Sequence, residues 1–390
     1  MSKLQKLIDE LCPDGAKFVP LGSLIDYEQP SKYIVENTKY SDEYKMPVLT
    51  AGQSFILGYT DEVNGIYNAS DINPVIIFDD FTTSFHWIKF DFKVKSSALK
   101  ILTNKNHDIS NFRYLYYAMK CIRYLPTTHR RQWIEVYSNF EIPLPPLPIQ
   151  EEIVRILDTF TELQAELQAE LQARKTQYEY YRNKLLSFDG RDDVKWVALG
   201  EIAIVQSGGT PKKDKNEYWN GGTIKWLGST VCKNKKNVSE VTSYITDEGL
   251  KNSSAKIVPS QTTLIALVGA TIGKTAFLPF EATVNQNIAT LFPKNSNVLN
   301  PSYLFYGCGT LYEKFVSLSD SKLPMANLSF VKNLKISLPS IDEQKRIVSI
   351  LDRFDTLTTD LTSGLPAEIE ARRKQYEYYR DLLLTFKKAT

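Results

Sequence analysis

A chain of 390 residues, 43% apolar and 12% aromatic, is long enough and apolar enough for two real cores with connecting helices, which excludes disorder as its default state. It contains no apolar run of about 18 residues, and Met1-Ser-Lys-Leu-Gln-Lys6 lacks a signal-peptide core, so no membrane span and a cytoplasmic location are expected. The net charge of +2 conceals an imbalance: residues 191–336 carry 17 basic and 11 acidic side chains while the remainder sums to −4, so one region is suited to phosphate contacts. Cys12, Cys121, Cys232 and Cys308 lie far apart and read as thiols in a reducing compartment, neither a zinc site nor a disulfide frame.

In chain order, Leu4, Leu7, Ile8 and Leu11 predict a short amphipathic helix that stops at Cys12-Pro-Asp-Gly15. A β-rich globule follows, with strands at Pro74–Phe78, Phe85–Phe90 and Ser97–Leu102 and a helix around Phe112–Arg123. Leu125–Trp133 is a polar, basic loop holding Arg130, Arg131 and Gln132. Pro143, Pro145, Pro146 and Pro148 form a stiff link that excludes helix until Ile149. From Ile149 to Phe188 the periodicity predicts a helix of roughly 60 Å if continuous. Within it a tetrapeptide is written three times, Thr161–Gln164, Ala165–Gln168 and Ala169–Gln172, whose Ala, Glu, Leu and Gln are strong helix formers. Leu163, Leu167 and Leu171 recur every four residues, so their stripe drifts by about 40° per tetrad.

The second globule has turns at Gly208–Pro211 and Tyr218–Gly222, a buried strand at Thr263–Val268, a helix at Pro301–Ser317 and a loop at Ser319–Asn327. A second helical arm follows, broken by Gly364 and Pro366, with Pro366 placed to start a new helix. The chain is in fact written twice. Ile142–Phe160 returns as Ile336–Phe354 at an offset of 194, Gln177-Tyr-Glu-Tyr-Tyr-Arg182 returns unchanged at 198, and Lys17–Gly22 answers Lys195–Gly200 at 178. The expected fold is therefore α+β: two globular domains joined by a pair of long antiparallel coiled-coil helices, related by an internal pseudo-twofold repeat. The domain boundaries are 1–142, 143–190 for the first arm, 191–336, and 337–390 for the second arm.

Several patterns imitate chemistry. Leu264–Thr275 looks like a strand entering a phosphate loop, but three residues separate Gly269 from Gly273 where four are needed, so it reads as a turn between strands. Asp79-Asp80 with Asp91-Phe-Lys93 resembles the acidic pair and lysine of metal-dependent nucleases, a pattern that arises easily by chance. His86, His107 and His129 are too scattered for a metal site or a triad. No catalysis and no metal are expected of this chain.

The arm segments, from Leu144-Pro-Pro through Gln150-Glu-Glu-Ile-Val-Arg-Ile-Leu-Asp158 to Gln177–Arg182 and again through Gly364-Leu-Pro366, resemble the specificity subunits of type I restriction–modification enzymes. Gly209-Thr-Pro211, Tyr218-Trp219, Ala270–Lys274 and Asn285-Gln-Asn287 are similar to motifs of that family's target-recognition domains. The resemblance implies a non-catalytic subunit whose two domains read a bipartite double-stranded DNA target while its helices set the gap. It implies as partners two modification (methyltransferase) subunits and restriction/translocase subunits. No cofactor is implied in this chain; S-adenosylmethionine, ATP and Mg belong to the partner subunits. Candidate base contacts are Arg130, Arg131, Gln132, Lys322 and Asn327, since Arg suits guanine and Asn or Gln suit adenine. Lys212, Lys213, Lys233, Lys235, Lys236 and Lys274 are candidates for phosphate or solvent. Tyr178, Tyr181, Tyr376 and Tyr379 are assigned to helix packing. A coiled-coil scaffold with protein-binding globules, and a nuclease using Asp80, Asp91 and Lys93, are the alternatives.

Each tetrad adds about 6 Å and turns a straight helix by about 40°, against roughly 35° per base pair of DNA. A fourth tetrad inserted after Gln172 should therefore change the gap between half-sites by a small whole number of base pairs. Mapping the methylated motif of the insertion variant checks this, and an unchanged gap would refute it.

Overall fold

A computed structural model describes residues 2–51, 55–188, 190–318, 325–360 and 362–389. The chain forms two compact units, Met1–Glu166 with Ala371–Thr390, and Leu167–Glu370. Each unit thus holds one globule, the near half of that globule's own arm and the far half of the other arm. The division cuts across the arms because each arm's apolar face is buried against the globule at either end.

The two globules share one plan. In the first, a four-stranded antiparallel sheet runs Ile25–Glu28, Leu99–Asn104, Val75–Asp79, Phe85–Ile88 in spatial order; in the second the order is Ala203–Ser207, Ile288–Pro293, Thr262–Ala266, Thr275–Leu278. The strands Val75–Asp79 and Thr262–Ala266 are buried at every position, as their apolar runs require. A three-stranded sheet accompanies each, with one parallel pairing in each copy: Met46–Leu49 with Lys93–Val94, and Ile224–Leu227 with Thr283–Val284. A two-strand ladder closes each globule where its arm departs, Lys17–Pro20 on Glu141–Leu144 and Lys195–Ala198 on Lys335–Leu338. The N-terminal helix is Lys3–Leu11, capped by the Ser2 hydroxyl, with Leu4 buried.

Strands expected over Phe85–Phe90 and Thr263–Val268 are Phe85–Ile88 and Thr262–Ala266, and two helices also depart from expectation. The first arm begins at Leu147, not Ile149, because Pro148 falls in the first turn, where a missing N–H costs nothing. The helix expected over Pro301–Ser317 is two, Pro301–Gly309 and Tyr312–Val316, divided at Thr310-Leu311.

The first arm is one helix, Leu147–Ser187, and the second is two, Ile341–Thr359 and Leu365–Leu383. The break follows from Asp360, whose carboxylate accepts from the Thr362 N–H and from the hydroxyls of Thr362 and Ser363. Those hydrogen bonds hold the Asp360 carboxyl down to about 2. Gly364 turns there so tightly that a Cβ would lie 2.5 Å from the Thr356 carbonyl oxygen.

Each arm leaves its globule through a buried glutamine. The Gln150 side chain accepts from the Asn111 N–H (2.8 Å) and donates to the carbonyls of Ile109 (3.0 Å) and Pro145 (2.7 Å). Gln344 does the same with Asn300 (2.8 Å), Val298 (2.9 Å) and Pro339 (2.9 Å). Asn111 and Asn300 in turn cap the helices Phe112–Cys121 and Pro301–Gly309. One turn or two further along, Asp158 accepts from Tyr117 and from Arg113 (2.8 Å), while Asp352 accepts from Tyr306 (2.6 Å) and pairs with Lys236. Lys236, a candidate phosphate contact, is thus turned inward with 12% of its side chain exposed.

The arms run antiparallel within each unit. Ring pairs tie them at twin positions: Phe160 stacks on Tyr379 at 5.6 Å in the first unit, and Phe354 stacks on Tyr181 at 5.8 Å in the second. Lys388 reaches Glu141 beyond the first pair and Ser337 reaches the Leu186 carbonyl beyond the second, which fixes the direction. Tyr178 and Tyr376 pack against the cores of their units, and burial pushes both phenols up to about 12. Leu163 and Leu167 are half-buried and Leu171 is buried.

Replacing Gln344 by Leu strands one N–H and two carbonyls, and should cost about 3 kcal/mol or more, read as a lowered denaturation midpoint. Glu152, 3% exposed, is held down to about 2 by hydrogen bonds from Arg155 and Lys3. Its folded value lies below its unfolded one, so its contribution is full above about pH 4.5 and fades as pH falls toward 2. A Glu152→Gln variant should lose that part of the acid dependence of stability, measured by thermal melts between pH 2 and 6.

Candidate nucleic-acid interface

At one end of each four-stranded sheet, four loops are tied edge to edge by hydrogen bonds. In the first unit the chain leaves Ile25–Glu28 at Gln29, whose amide donates to the Ser97 carbonyl (2.8 Å) ahead of Leu99–Asn104. Asp80, in the hairpin turn after Val75–Asp79, donates its N–H to Ala98 (3.0 Å) and its carbonyl accepts from the Gln132 N–H (2.8 Å). In the second unit the Gly209 N–H donates to Val284 (2.8 Å), the Leu267 N–H to Asn287 (2.8 Å), and the Leu267 carbonyl accepts from Ala326 (2.8 Å). Gln132 and Ala326 are twins at offset 194, so the latch is the same on both frames.

The loop chemistry differs. In the first unit Asp80 is 1% exposed; one carboxylate oxygen accepts from the N–H groups of Gln132 (3.0 Å) and Trp133 (2.8 Å). Its other oxygen faces Lys100 at 3.5 Å and Arg131 at 3.7 Å. Lys100 is 2% exposed, bonded to the Gln29 amide oxygen, and burial lowers its pKa. Trp133 is buried against Phe78, and His129 stacks on Phe81 at 4.8 Å. Gln132 differs from expectation. It is 2% exposed, accepts from the Tyr124 hydroxyl (2.7 Å) and donates to the Arg130 carbonyl (2.8 Å), so its amide is spent on shaping the loop. Arg130 and Arg131 remain on the surface.

In the second unit the imitation phosphate loop is the turn between Thr262–Ala266 and Thr275–Leu278, with Gly269 and Gly273 at positive φ. A Cβ on Gly273 would lie 2.5 Å from the Phe315 side chain. Lys274 is half-buried beside it. Gly208 and Gly209 let the backbone approach Val284 and Ser254 so closely that a Cβ would sit 2.0 and 2.3 Å from their carbonyl oxygens. The Trp226 indole donates to the Gly209 carbonyl (3.1 Å), the Trp219 indole to Lys212 (3.0 Å), and the Thr210 hydroxyl to Gln286. Lys212 and Lys213 are exposed on this braced segment. The structure therefore joins the loops of Lys212, Lys213 and Lys274. Lys233 pairs with Glu240. Asn327 spends its side-chain oxygen capping the helix Leu328–Asn333 (2.8 Å). Lys322 lies outside the described residues.

The nuclease pattern does not assemble. Asp80 is committed as above, Asp91 is exposed, and Lys93 is buried on Glu62 (2.9 Å) and the Asn64 carbonyl. Among the described residues no cluster of three or more His, Cys, Asp or Glu could hold a metal, and no helix is long and apolar enough to cross a membrane. Reasoning from sequence placed Asp80 only in the nuclease pattern, not as a loop anchor, and gave the Asp158/Asp352 twins no role; the latter pair carried a signal, being one of the acidic identities between the repeats.

The type I restriction modification DNA specificity domain model matches residues 13–174 and 191–371. The chain is 44% identical over 401 residues to the type I restriction enzyme EcoR124I/EcoR124II specificity subunit of Escherichia coli, covering 100% of this chain and 98% of that one. It is 31% identical over 350 residues to a putative type I restriction enzyme specificity subunit of Haemophilus influenzae, covering 86% of each. In fold it is similar to the crystal structure of a type I restriction-modification S subunit from M. genitalium, with TM-score 0.59 at 16% identity over 99% of both chains.

Substituting Gly208 by Ala should push the Lys212–Lys213 segment off its seat at a cost of about 1–3 kcal/mol. The expected result is a folded chain by circular dichroism with weakened DNA binding in a filter or fluorescence titration.

Proposed function

The chain belongs to the type I restriction–modification DNA specificity family, and from that premise we propose that each globule reads one half of a split double-stranded DNA target while the arms fix the gap between halves. Partner methyltransferase subunits then modify adenine N6 within the target, using S-adenosylmethionine. Restriction/translocase subunits join them with ATP and Mg, and this chain itself performs no bond chemistry. The observation that carries the reading is the duplicated frame bearing unlike loops: the latch and the glutamine seat repeat, while Asp80, Lys100 and Gln29 in the first unit are replaced by Leu267, Ala289 and Ser207 at the matching places of the second. One frame with two texts is what two unlike half-sites require. Phosphate contacts from Lys212 and Lys213 supply affinity, and side chains of the latched loops supply base contacts.

Cells with and without the gene, carrying its partner genes, should differ in a split N6-methyladenine motif. Long-read methylation mapping gives both half-sites and the gap together; a motif present in both strains would defeat the reading.

A further inference from the structure

The hairpin turn and the latched loop of the first unit separate three neighbours, Arg130, Arg131 and Gln132, that sequence treats alike. Gln132 is buried and spent. Arg130 is exposed and makes no ion pair among the described residues. Arg131 stands between them: half of its side chain is exposed, and its Nη1 lies 3.7 Å from the buried carboxylate of Asp80.

Asp80 is an unusual anchor. One oxygen is saturated by two backbone N–H groups of the latch, and the other, Oδ2, is buried with no hydrogen bond among the described residues, 3.5 Å from the Lys100 ammonium and 3.7 Å from the Arg131 guanidinium. A buried carboxylate oxygen without a donor is costly, so the guanidinium that can close on it is drawn toward it. Lys100 is 2% exposed and already bonded to Gln29, so it cannot reach a ligand. Arg131 can, because a guanidinium has five N–H donors in a rigid fork. Closing from 3.7 Å onto that oxygen would commit one edge of the guanidinium and leave another fixed in direction for a ligand. A fork with a fixed direction suits a planar pair of acceptors, and the guanine O6/N7 edge in the major groove is such a pair. A phosphate makes no such demand on orientation, and Arg130 meets it without a brace.

We propose that Arg131 reads a guanine in the half-site of the first globule, with Asp80 as the positioning residue that aims it and Arg130 as its phosphate-contacting neighbour. The assignment rests on the reading of this chain as a DNA-specificity subunit.

The test uses the full chain expressed with its partner methyltransferase subunits, with methylation mapping in cells and DNA titration of the purified complex at several salt concentrations. Arg131→Ala should relax one position of one half-site, lowering the preference for guanine there on the order of ten- to a hundred-fold, with the other half-site and the gap unchanged. Arg130→Ala should weaken binding evenly across sequences and reduce the salt slope by about one, with no change of motif. Asp80→Asn keeps an oxygen for the latch N–H groups but removes the charge that holds Arg131, and should relax the same position as Arg131→Ala. A loss of fold would move every position together, and the exposed Arg131→Ala variant guards against that confusion. The assignment is overturned if Arg131→Ala leaves the motif intact, relaxes both half-sites, or matches Arg130→Ala in kind. A wild-type complex that produces no gene-dependent split motif overturns the underlying reading, and is recognised before any variant is compared.

Discussion

A buried side-chain amide decides how each arm leaves its globule. Gln150 and Gln344 are both fully buried, and each satisfies an N-cap N–H and two carbonyls that would otherwise be orphaned. An amide carries both a donor and an acceptor end, so no apolar side chain can substitute and no carboxylate can serve both carbonyls. Directional bonds at the first turn of a long helix act with leverage: a small error in angle there becomes a large displacement further along. The stacked pairs Phe160–Tyr379 and Phe354–Tyr181 extend the same constraint along the arms.

Around this seat the molecule divides the labour of frame and text. The frame consists of backbone pairings and side chains that recur in both units: the closing ladders, the latches at Gln132 and Ala326, and the half-buried carboxylates Asp158 and Asp352. Even so, the cation facing that carboxylate is drawn from different places, Arg113 from a helix in one unit and Lys236 from a loop in the other. Coulombic pairing fixes the sign of the partner but not its origin, so this part of the frame tolerated replacement. The text consists of loops whose backbones are tied in the same way but whose side chains are unlike. A hydrogen-bonded backbone lets side chains vary without moving the loop, and this is the condition under which new target sequences can be read on an old fold.

The electrostatics follow the same division. The buried charges of the first unit, Asp80 with Lys100 and Glu152 with Arg155 and Lys3, are paired, as burial demands. The exposed lysines of the second unit, Lys212 and Lys213, are carried on a segment braced by two indoles and two crowded glycines. Charge placed on a braced loop loses less entropy on meeting a phosphate than charge on a free one.

The sequence by itself determined the duplication, the α+β class, the two antiparallel arms, the break at Gly364 and the family. Each of these is written in periodicity, in helix breakers or in literal repetition, which are local properties of the text. It also exposed the phosphate-loop imitation, because spacing between glycines is countable. What only the tertiary structure decided is which side chains of a basic loop remain available. Arg130, Arg131 and Gln132 are adjacent in sequence, yet one makes no ion pair among the described residues, one lies 3.7 Å from the Asp80 carboxylate and one is buried. Asp80 stands more than forty residues before them, so nothing local marks the pairing. The same holds for Lys236, withdrawn to Asp352 more than a hundred residues away. Availability depends on which distant groups compete for a side chain, and that competition exists only once the chain has folded.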